Sequence, residues 1–335
     1  MVHLVGLDSG CAGTKLVHSL NSDTIQETVI PSLAKRGAAS VSLDGKSGIT
    51  YQCDGEQWSI SPGAFGCEDT RFDSYPFSTL NAVLSIHALI EQGFSGERVK
   101  VASGLPLNQY YSVNDEGRPN KAMIERKHRQ YDLTVKRRTP RGFEAVNITL
   151  ESVRVCPESV AAWADYCLDD DGGLVFETMR PVGLIDIGGR TTDIAVISGG
   201  QAFQIEPEYT GTLAVGYLDI FQKVNAYINQ QGFYDGVLET AVLDQAVRTG
   251  TIELFNEPVD ISEGVRDAKA VVVREIQREV ERRFAKVKGM AGQCYFGGGA
   301  EDLRETLTGD RIIIPKRAQF SNARGYRKIA RLGGY

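Results

Sequence analysis

The sequence has few of the features that mark secreted, membrane-spanning or metal-knuckle proteins. It contains six cysteines, but none forms a Cys-x-x-Cys pair, which disfavours a zinc knuckle or a redox motif. No apolar stretch approaches the roughly 20 residues that span a bilayer, and no basic segment precedes the first apolar run. The four histidines are isolated and show no metal-ligand spacing. We therefore expect a reduced, cytoplasmic protein without a membrane partner.

Positive charge is also in short supply. Lysine and arginine number 37 against 43 aspartates and glutamates, for a formal net charge of -6. Such a chain repels the phosphate backbone, so direct binding to nucleic acid is not expected. The one basic run, KRRTPR at 136–141, is interpreted as a solvated hairpin tip, with a filament contact or a nucleic-acid patch as alternatives. The 335 residues, 42% hydrophobic and 24% charged, favour a globular protein of two domains.

One pattern is present twice. The stretches "VHLVGLDSGCAGTKLVHSL" at 2–20 and "VGLIDIGGRTTDIAVISGG" at 182–200 each join two apolar runs through an Asp-x-Gly turn. Apolar runs bounded by small turn residues predict β-hairpins. A single turn of this kind is commonplace, but two copies in one chain favour a shared function.

The remaining segments predict alternating strands and helices. Strand-like segments with DG turns fall in 40–60, a buried strand in 98–107, and a hairpin with the turn TPRG before a strand that ends at Val155. Helices are expected over 78–92, 212–232 and 262–288, in "NARGYRKIARL" near the C-terminus, and from Pro157 onward, with that proline as the first helical residue. Trp58 and Trp163 are expected in the core.

The turns of the two hairpins are candidate phosphate-binding sites. Glycines remove side chains that would block an anion from the backbone N–H groups, hydroxyls add donors, and a lysine adds a point charge. The candidate phosphate-binding residues are Ser9, Gly10, Cys11, Gly13, Thr14 and Lys15 in the first turn, and Gly188, Gly189, Arg190 and Thr191 in the second. Asp8 and Asp186 occupy the same place in each hairpin. Facing each other across a cleft, they would hold a hydrated Mg²⁺.

A glycine triplet supplies a third candidate element. In "FGGGAEDL" the three glycines follow a predicted strand and precede a predicted helix. Without side chains, this backbone can pass flat against a ligand ring or ribose. A plain strand-to-helix turn is the alternative.

The order of these motifs resembles the superfamily of actin, sugar kinases and chaperone ATPases. "GLPLNQYY", "IERKH", "VCPESVAA", "LIDIGGRTTDIAVI", "GGGAEDL" and "FSNARGYRKIA" together resemble the plasmid-segregation actin-like ATPases of the ParM/StbA family. The resemblance covers nearly the whole chain and is faint at 20–75 and 230–260. Cys11 and Arg190 depart from the small or hydroxyl residues usual in the two phosphate loops.

The resemblance implies an α/β, two-lobe actin-like ATPase fold, with duplicated RNase H-like domains and a nucleotide cleft between them. Domain I would comprise 1–166 plus 315–335, and domain II 167–314. The glycine triplet would be an adenosine loop, formed by Gly297, Gly298, Gly299 and Ala300. The cofactors would be Mg²⁺ and ATP, with GTP left open.

Glu158 is the candidate catalytic residue. At the start of the predicted helix, the N-terminal dipole would favour its ionised form. An ionised carboxylate near a terminal phosphate can orient the attacking water. The resemblance gives this role to the glutamate of the "PES" motif. A first-turn glutamate that merely favours the helix is the alternative.

The function implied by the resemblance is a filament-forming nucleotide triphosphatase that segregates low-copy plasmid DNA. Its partners would be other copies of the chain and a small DNA-binding adaptor on a centromere-like site, in the cytoplasm of a bacterium that carries the plasmid. A small-molecule phosphotransferase of the sugar- or acetate-kinase kind and a non-polymerising clamp ATPase are the alternatives.

Overall fold

A computed structural model describes residues 1–20, 24–39, 48–60, 66–111, 117–198, 203–254 and 256–334. The strands are β1 (Val2–Ser9), β2 (Gly13–His18), β3 (Gln26–Pro31), β4 (Lys35–Arg36), β5 (Ile49–Cys53), β6 (Glu56–Ile60), β7 (Arg98–Leu105), β8 (Val135–Thr139), β9 (Gly142–Ala145), β10 (Thr149–Pro157), β11 (Val182–Ile187), β12 (Thr192–Ile197), β13 (Gly211–Leu213), β14 (Thr251–Leu254), β15 (Glu257–Asp260), β16 (Gly292–Phe296) and β17 (Ile312–Ile313). The helices are α1 (Thr79–Glu91), α2 (Leu107–Tyr110), α3 (Lys121–Tyr131), α4 (Val160–Cys167), α5 (Leu218–Gln230), α6 (Thr240–Thr249), α7 (Ser262–Phe284), α8 (Gly297–Asp302) and α9 (Ser321–Leu332).

Two five-stranded sheets share one topology. The first has the order β3-β2-β1-β7-β10, and the second has the corresponding order β13-β12-β11-β16-β17. In each, three consecutive antiparallel strands are followed by two strands parallel to the first. The duplication predicted from the repeated hairpins is therefore confirmed, and each sheet forms the centre of one lobe.

The strands of the second hairpin are buried along their whole length. Every residue of β11 and β12 is buried, as expected for apolar runs covered on both faces. One face packs on α5 and α7, where Val272 and Ile276 are fully buried, and the other packs on α4 through Trp163. These two layers hold the turn of the hairpin on a rigid base.

Helices α4 and α9 lie between the two sheets. Helix α9 packs closely on the first sheet, since a Cβ at Gly6 would approach the Ala323 carbonyl oxygen to 1.9 Å. Two of its basic residues, Arg327 and Lys328, are buried, and Lys328 Nζ lies 2.8 Å from Asp165 Oδ1 of α4. The amphipathic basic helix predicted near the C-terminus is thus confirmed, and its Lys328 forms an ion pair that connects α9 to α4. The exact domain bounds stay a prediction.

A third sheet is inserted into the first lobe, in the order β4-β6-β5-β8-β9. Its β5–β6 turn is formed by Asp54 and Gly55, both at positive φ, which confirms a DG hairpin turn. The other DG dipeptide of the 40–60 segment, at 44–45, lies outside the described residues. The basic run forms the β8–β9 hairpin as predicted, and Trp58 and Trp163 are both in the core. Among the described residues, no helix is long and apolar enough to cross a membrane.

Two predicted helix starts are wrong, and strand pairing explains both. Pro157 does not begin a helix; it ends β10, where it pairs with Leu105 of β7, and α4 begins only at Val160. The segment predicted as helix from 212 instead begins as an edge strand, in which Gly211 pairs with Ile194. Long-range sheet pairing overrides the local helix signals at both positions.

Two other boundaries also differ. Helix α7 ends at Phe284, four residues before its predicted end at 288. The glycine triplet is not a turn before the next helix but the first turn of α8 itself, with Gly297 at φ 84°. The predicted helix at 78–92 is confirmed as α1, which begins after an N-cap in which the Ser78 side chain accepts from Asn81 N.

Candidate functional site

The turns of the two repeated hairpins lie at one cleft of about 840 Å³ between the lobes. In the first hairpin Asp8 is paired with Lys15, and in the second Asp186 is paired with Asp193. The spacing is identical, so the two hairpins correspond residue by residue. Lys15 and Asp193 occupy equivalent positions with opposite charge.

In the first turn, residues 9–13, two carbonyl groups accept hydrogen bonds from side chains of the same lobe. Gly10 O accepts from Ser32 Oγ at 2.8 Å, and Cys11 O accepts from Thr70 Oγ1 at 2.7 Å. In a planar trans peptide the N–H points opposite to the C=O, so the amides that follow point away from these partners. This geometry leaves donors for an anion in the cleft.

The side chain of Cys11 packs beside this turn rather than supplying a charged ligand. Its Sγ donates to Thr70 O at 3.3 Å. Burial and, less strongly, the carboxylate of Glu158 raise the pKa of the Cys11 thiol to about 12, against opposing effects of Arg190 and Lys15. Cys11 therefore stays a neutral thiol.

Lys15 is the cation of the first turn. Its Nζ lies 3.3 Å from Asp8 Oδ2. Burial alone would lower the pKa of Lys15, but the charge and hydrogen bond of Asp8, aided by Asp186, raise it overall. The amine is therefore charged and lines the cleft.

The second turn, residues 187–191, is held by the start of α5. Gly188 O accepts from Tyr217 N at 2.9 Å, and Gly189 O accepts from Leu218 N at 2.8 Å. The turn is closed by a bond from Gly188 N to Thr191 O at 2.9 Å. Helix α5 thus fixes the orientation of the second turn.

The two turns approach each other closely. A Cβ added at Gly189 would lie 3.2 Å from the Ala12 Cβ atom of the first turn. Arg190 Nη1 forms an ion pair with Asp73 Oδ1 at 2.7 Å, from the second lobe to the first. Arg190 is one of the two residues that differ from those usual in such loops. It forms an ion pair between the lobes instead of extending unpaired into the solvent or the cleft.

Four carboxyl groups surround the cleft floor: Asp8, Glu158, Asp186 and Asp193. Burial, followed by repulsion from Asp8, Asp193 and Asp186, raises the pKa of Glu158 well above its usual range. Burial raises the pKa of Asp186 to about 7, although a hydrogen bond from Asn322 opposes the shift. Burial also raises the pKa of Asp193. The ionised forms of these carboxyl groups are therefore disfavoured, and a cationic ligand among them would favour their ionisation.

Glu158 lies in a tight turn between β10 and α4, not in the first turn of a helix. Ser159, which follows it, has φ 60°, an uncommon conformation for a residue other than glycine. Asn322 of α9 fixes this turn, because its Oδ1 accepts from Ser159 N at 3.0 Å while its Nδ2 donates to Asp186 Oδ2 at 2.6 Å. The expected dipole stabilisation of an ionised Glu158 was wrong, since burial favours the neutral acid.

The carboxylates fit a Mg²⁺ ion only together with other oxygen ligands. Within the described residues, no group of three or more histidine, cysteine, aspartate or glutamate side chains is arranged to hold a metal ion. Asp8 is engaged by Lys15 and Asp186 by Asn322. Mg²⁺ usually keeps several waters and binds through one or two carboxylates plus substrate phosphates, and this donor set suits that mode.

The glycine triplet packs against the second hairpin. A Cβ at Gly297 would lie 2.4 Å from Ile187 O, and one at Gly299 would lie 2.4 Å from Ile187 Cγ2. A Cβ at Gly298 would have only Gln319 Cβ nearby, at 3.8 Å, and Gly298 lines the cleft. All three glycines line the cleft; two of them are also required by protein packing, and only the middle one has room for a Cβ.

The structure brings most of the predicted site residues to this cleft, with two exceptions. Thr14 is buried and its Oγ1 has no protein partner, and Ala300 is fully buried in α8; neither lines the cleft. The prediction of site residues omitted Asp193 and Asn322. The equal spacing of the two hairpins could have indicated Asp193. No local signal marks Asn322, because its role depends on how α9 packs.

Comparisons with known proteins match both halves of the chain to family models. Residues 3–167 match the family model of the plasmid segregation protein ParM, N-terminal part, and residues 184–309 match that of the archaeal actin homologue MreB-like, C-terminal part. No curated protein sequence is similar enough to match the chain.

Solved structures match over almost the full length. An archaeal actin homologue has a TM-score of 0.75 at 19% identity, covering 98% of this chain and 99% of its own. Its complex with ADP has a TM-score of 0.71 at 21% identity, with the same coverage. The subunit of a 15-stranded ParM filament from Clostridium botulinum has a TM-score of 0.71 at 20% identity, covering 98% and 99%. At these identities the similarity establishes the two-lobe fold.

Proposed function

The chain belongs to the ParM/StbA group of actin-like ATPases, and from this premise we propose that it is a nucleotide-driven, filament-forming triphosphatase that segregates low-copy plasmid DNA. The observation that carries the proposal is the convergence of both repeated turns on one cleft. A polyphosphate has charged oxygens on several sides, and two opposed backbone turns are suited to hold them. Closing the lobes on such a ligand would change the surfaces that they present.

In this proposal the two turns hold the phosphates, with Lys15 as a point charge. Asp8 and Asp186 hold a hydrated Mg²⁺, which when bound supplies charge neutralisation of the phosphate oxygens. Gly298 lies against the nucleoside. ATP and GTP both satisfy these contacts.

Glu158 is proposed to prepare the water that attacks the terminal phosphate. Burial, followed by repulsion from neighbouring carboxylates, raises its pKa, and a Mg²⁺ ion beside it would favour the ionised form that can accept a proton. The Asn322 bonds hold the turn in which Glu158 lies. The chain therefore supplies both a base and a support that fixes its position.

Self-assembly and plasmid segregation extend the proposal beyond the single chain. A neighbour of the same fold is a ParM filament, which supports assembly of this chain into filaments. A small DNA-binding adaptor would connect filament ends to a centromere-like site. The chain itself, with a net charge of -6, is not expected to bind DNA directly.

Electron microscopy and phosphate release with Mg·ATP, Mg·GTP and Mg·ADP test the proposal. We expect filaments with a triphosphate, and phosphate release that follows their assembly. Turnover without any polymer would favour the clamp ATPase. Turnover that rises on adding sugars or small acids would favour the phosphotransferase.

Asp186→Asn tests the binding site itself. It removes a negative charge from the cleft floor while keeping the side-chain shape. We expect weaker Mg²⁺-dependent nucleotide affinity and slower hydrolysis together, measured by calorimetry and phosphate release. Asp235→Asn on the connection between α5 and α6 is a control for the same change outside the site. Unchanged affinity and turnover in Asp186→Asn would contradict the phosphate-clamp arrangement.

A further inference from the structure

Lys127 is a fully buried lysine that the proposed chemistry does not yet use. It lies on α3, within the stretch "IERKH", and its side chain has no solvent exposure. A buried lysine is costly unless acceptors surround its amine. Its contacts therefore indicate what it is for.

Three acceptors surround the amine of Lys127. Its Nζ lies 2.8 Å from Pro76 O, 3.1 Å from Asn81 Oδ1 and 3.5 Å from Ser9 Oγ. These acceptors give the amine hydrogen-bond partners in place of water. The third acceptor belongs to the first phosphate turn, so α3 reaches this turn from behind.

Asn81 of α1 connects Lys127 to the same turn. Its Nδ2 donates to Ser9 O at 3.1 Å, and its Oδ1 accepts from Ser9 Oγ at 3.2 Å. The same Oδ1 also accepts from Gln130 Nε2 at 2.8 Å. Three donors therefore converge on one amide oxygen. If the Ser9 hydroxyl turned away, Lys127 and Gln130 would still satisfy that oxygen.

We propose that Lys127 is a positioning residue that acts through Ser9 and favours a nucleoside triphosphate over a diphosphate. With a triphosphate in the cleft, the Ser9 hydroxyl turns from Asn81 to donate to a terminal phosphate oxygen. Lys127 then donates to Ser9 Oγ, which keeps the hydroxyl oriented toward the ligand. This inference rests on the proposed function, since it requires a nucleotide in the cleft.

The alternative is a purely structural role, in which Lys127 anchors α3 to the segment before α1 through Pro76. The two roles differ in what a substitution changes. If Lys127 is only a structural anchor, its replacement lowers stability and changes the affinities for both nucleotides equally. A positioning residue changes the preference for triphosphate and depends on Ser9.

The test compares Lys127→Met, Ser9→Ala and the double variant with the wild type. Lys121→Met is the matched control, because it makes the same change at the exposed first residue of α3. Fluorescent analogues of ADP and of a non-hydrolysable ATP are titrated with Mg²⁺ at protein concentrations too low for assembly. Thermal unfolding checks that each variant is folded.

We expect each single variant to weaken triphosphate affinity about tenfold, the size of one hydrogen bond, and to leave ADP affinity within about twofold. The double variant should lose no more than either single variant, because both remove the same interaction. Lys121→Met should resemble the wild type.

Additive losses in the double variant, or equal losses for both nucleotides, would overturn the proposal. If Lys127→Met fails to fold, Ser9→Ala still decides, because a loss confined to the triphosphate supports the proposal and an unchanged preference overturns it. A wild type that binds no nucleotide would instead refute the proposed function, and this inference with it.

Discussion

At the scale of single residues, the surroundings decide the chemistry of Glu158. Its sequence context suggests an ionised first-turn glutamate, whereas the fold places it, half-buried, beside three other carboxyl groups and raises its pKa. The same position places Glu158 at the cleft, where a bound Mg²⁺ ion would favour its ionised form. Its role therefore depends on the tertiary structure rather than on the helix dipole.

Glu158→Gln should separate assembly from hydrolysis. The amide keeps the size of the side chain but cannot accept a proton, so phosphate release should fall by about 10²–10⁴-fold. Filaments should still form with Mg·ATP and persist longer, because the phosphate contacts remain. Phosphate release and light scattering are measured on one sample, with Glu253→Gln on exposed β14 as the control. Normal phosphate release would remove Glu158 from the mechanism.

Lys127 gives the protein a specific pH dependence of stability. Burial, opposed by Glu158 and Asp8, lowers the pKa of Lys127 from 10.5 to about 7. Between these values the unfolded chain binds a proton that the native chain lacks, so raising the pH favours the native state. The amine therefore costs stability near neutral pH, and this cost decreases as the pH approaches 10.

The measurement is urea unfolding of the nucleotide-free protein between pH 7 and pH 10. Relative to Lys127→Met, the wild type should gain about 1 kcal/mol of unfolding free energy per pH unit, close to the limit for one proton. Lys121→Met should follow the wild type. Parallel profiles for the wild type and Lys127→Met would show that the native amine keeps an ordinary pKa.

At the scale of elements, the glycine triplet of α8 combines two different demands. All three glycines line the cleft, but Ile187 of the second hairpin lies against Gly297 and Gly299, whereas a Cβ at Gly298 would meet little protein. A single motif thus docks the helix on the phosphate hairpin and keeps space for a ligand. The two demands can be separated by substitution.

Gly298→Ala should weaken nucleotide binding without harming the fold. Its Cβ meets little protein, and alanine favours a helix over glycine by about 1 kcal/mol, so the melting temperature should hold or rise. The Cβ enters the ligand space, so ADP affinity should fall. Gly299→Ala should instead destabilise the fold by about 1–3 kcal/mol, because the new atom overlaps Ile187. Thermal unfolding and ADP titration distinguish the two; equal destabilisation by both would contradict this division.

At the scale of the whole molecule, a few polar contacts connect the lobes around the cleft. Arg190 pairs with Asp73, Leu107 N donates to Asp193 Oδ2 at 3.1 Å, and Asn322 bridges to Asp186. Each of them ends on a residue of the second hairpin. A ligand that engages this hairpin is therefore in a position to alter how the lobes are held together.

Assembly should consequently depend on the nucleotide. Sedimentation with ATP, GTP, a non-hydrolysable analogue, ADP and no nucleotide should pellet the protein only with a triphosphate, because both turns must close on its phosphates. ATP and the analogue should act alike at early times, since hydrolysis follows assembly. Equal pelleting without nucleotide would contradict nucleotide-gated assembly, and no pelleting under any condition would favour a kinase or a clamp.

The sequence by itself determined the duplicated hairpins and the fold class. Two apolar runs around an Asp-x-Gly turn are local patterns, and a strand buried on both faces needs no more than a continuous apolar run. The repeat at equal spacing then indicated two corresponding turns, and most residues of both turns line the cleft. The helical spacing of apolar residues likewise predicted α1 and the buried face of α7.

Only the tertiary structure decided how these parts act on one another. Pro157 ends a strand because β7 lies beside it, and Glu158 follows in a turn that Asn322, far along the chain, holds in place. Lys127 is an ordinary lysine in the sequence and becomes a buried donor to Ser9 only when α3 packs against α1. Burial and long-range contacts set pKa values and hydrogen-bond partners, and neither is encoded in the residues adjacent in sequence.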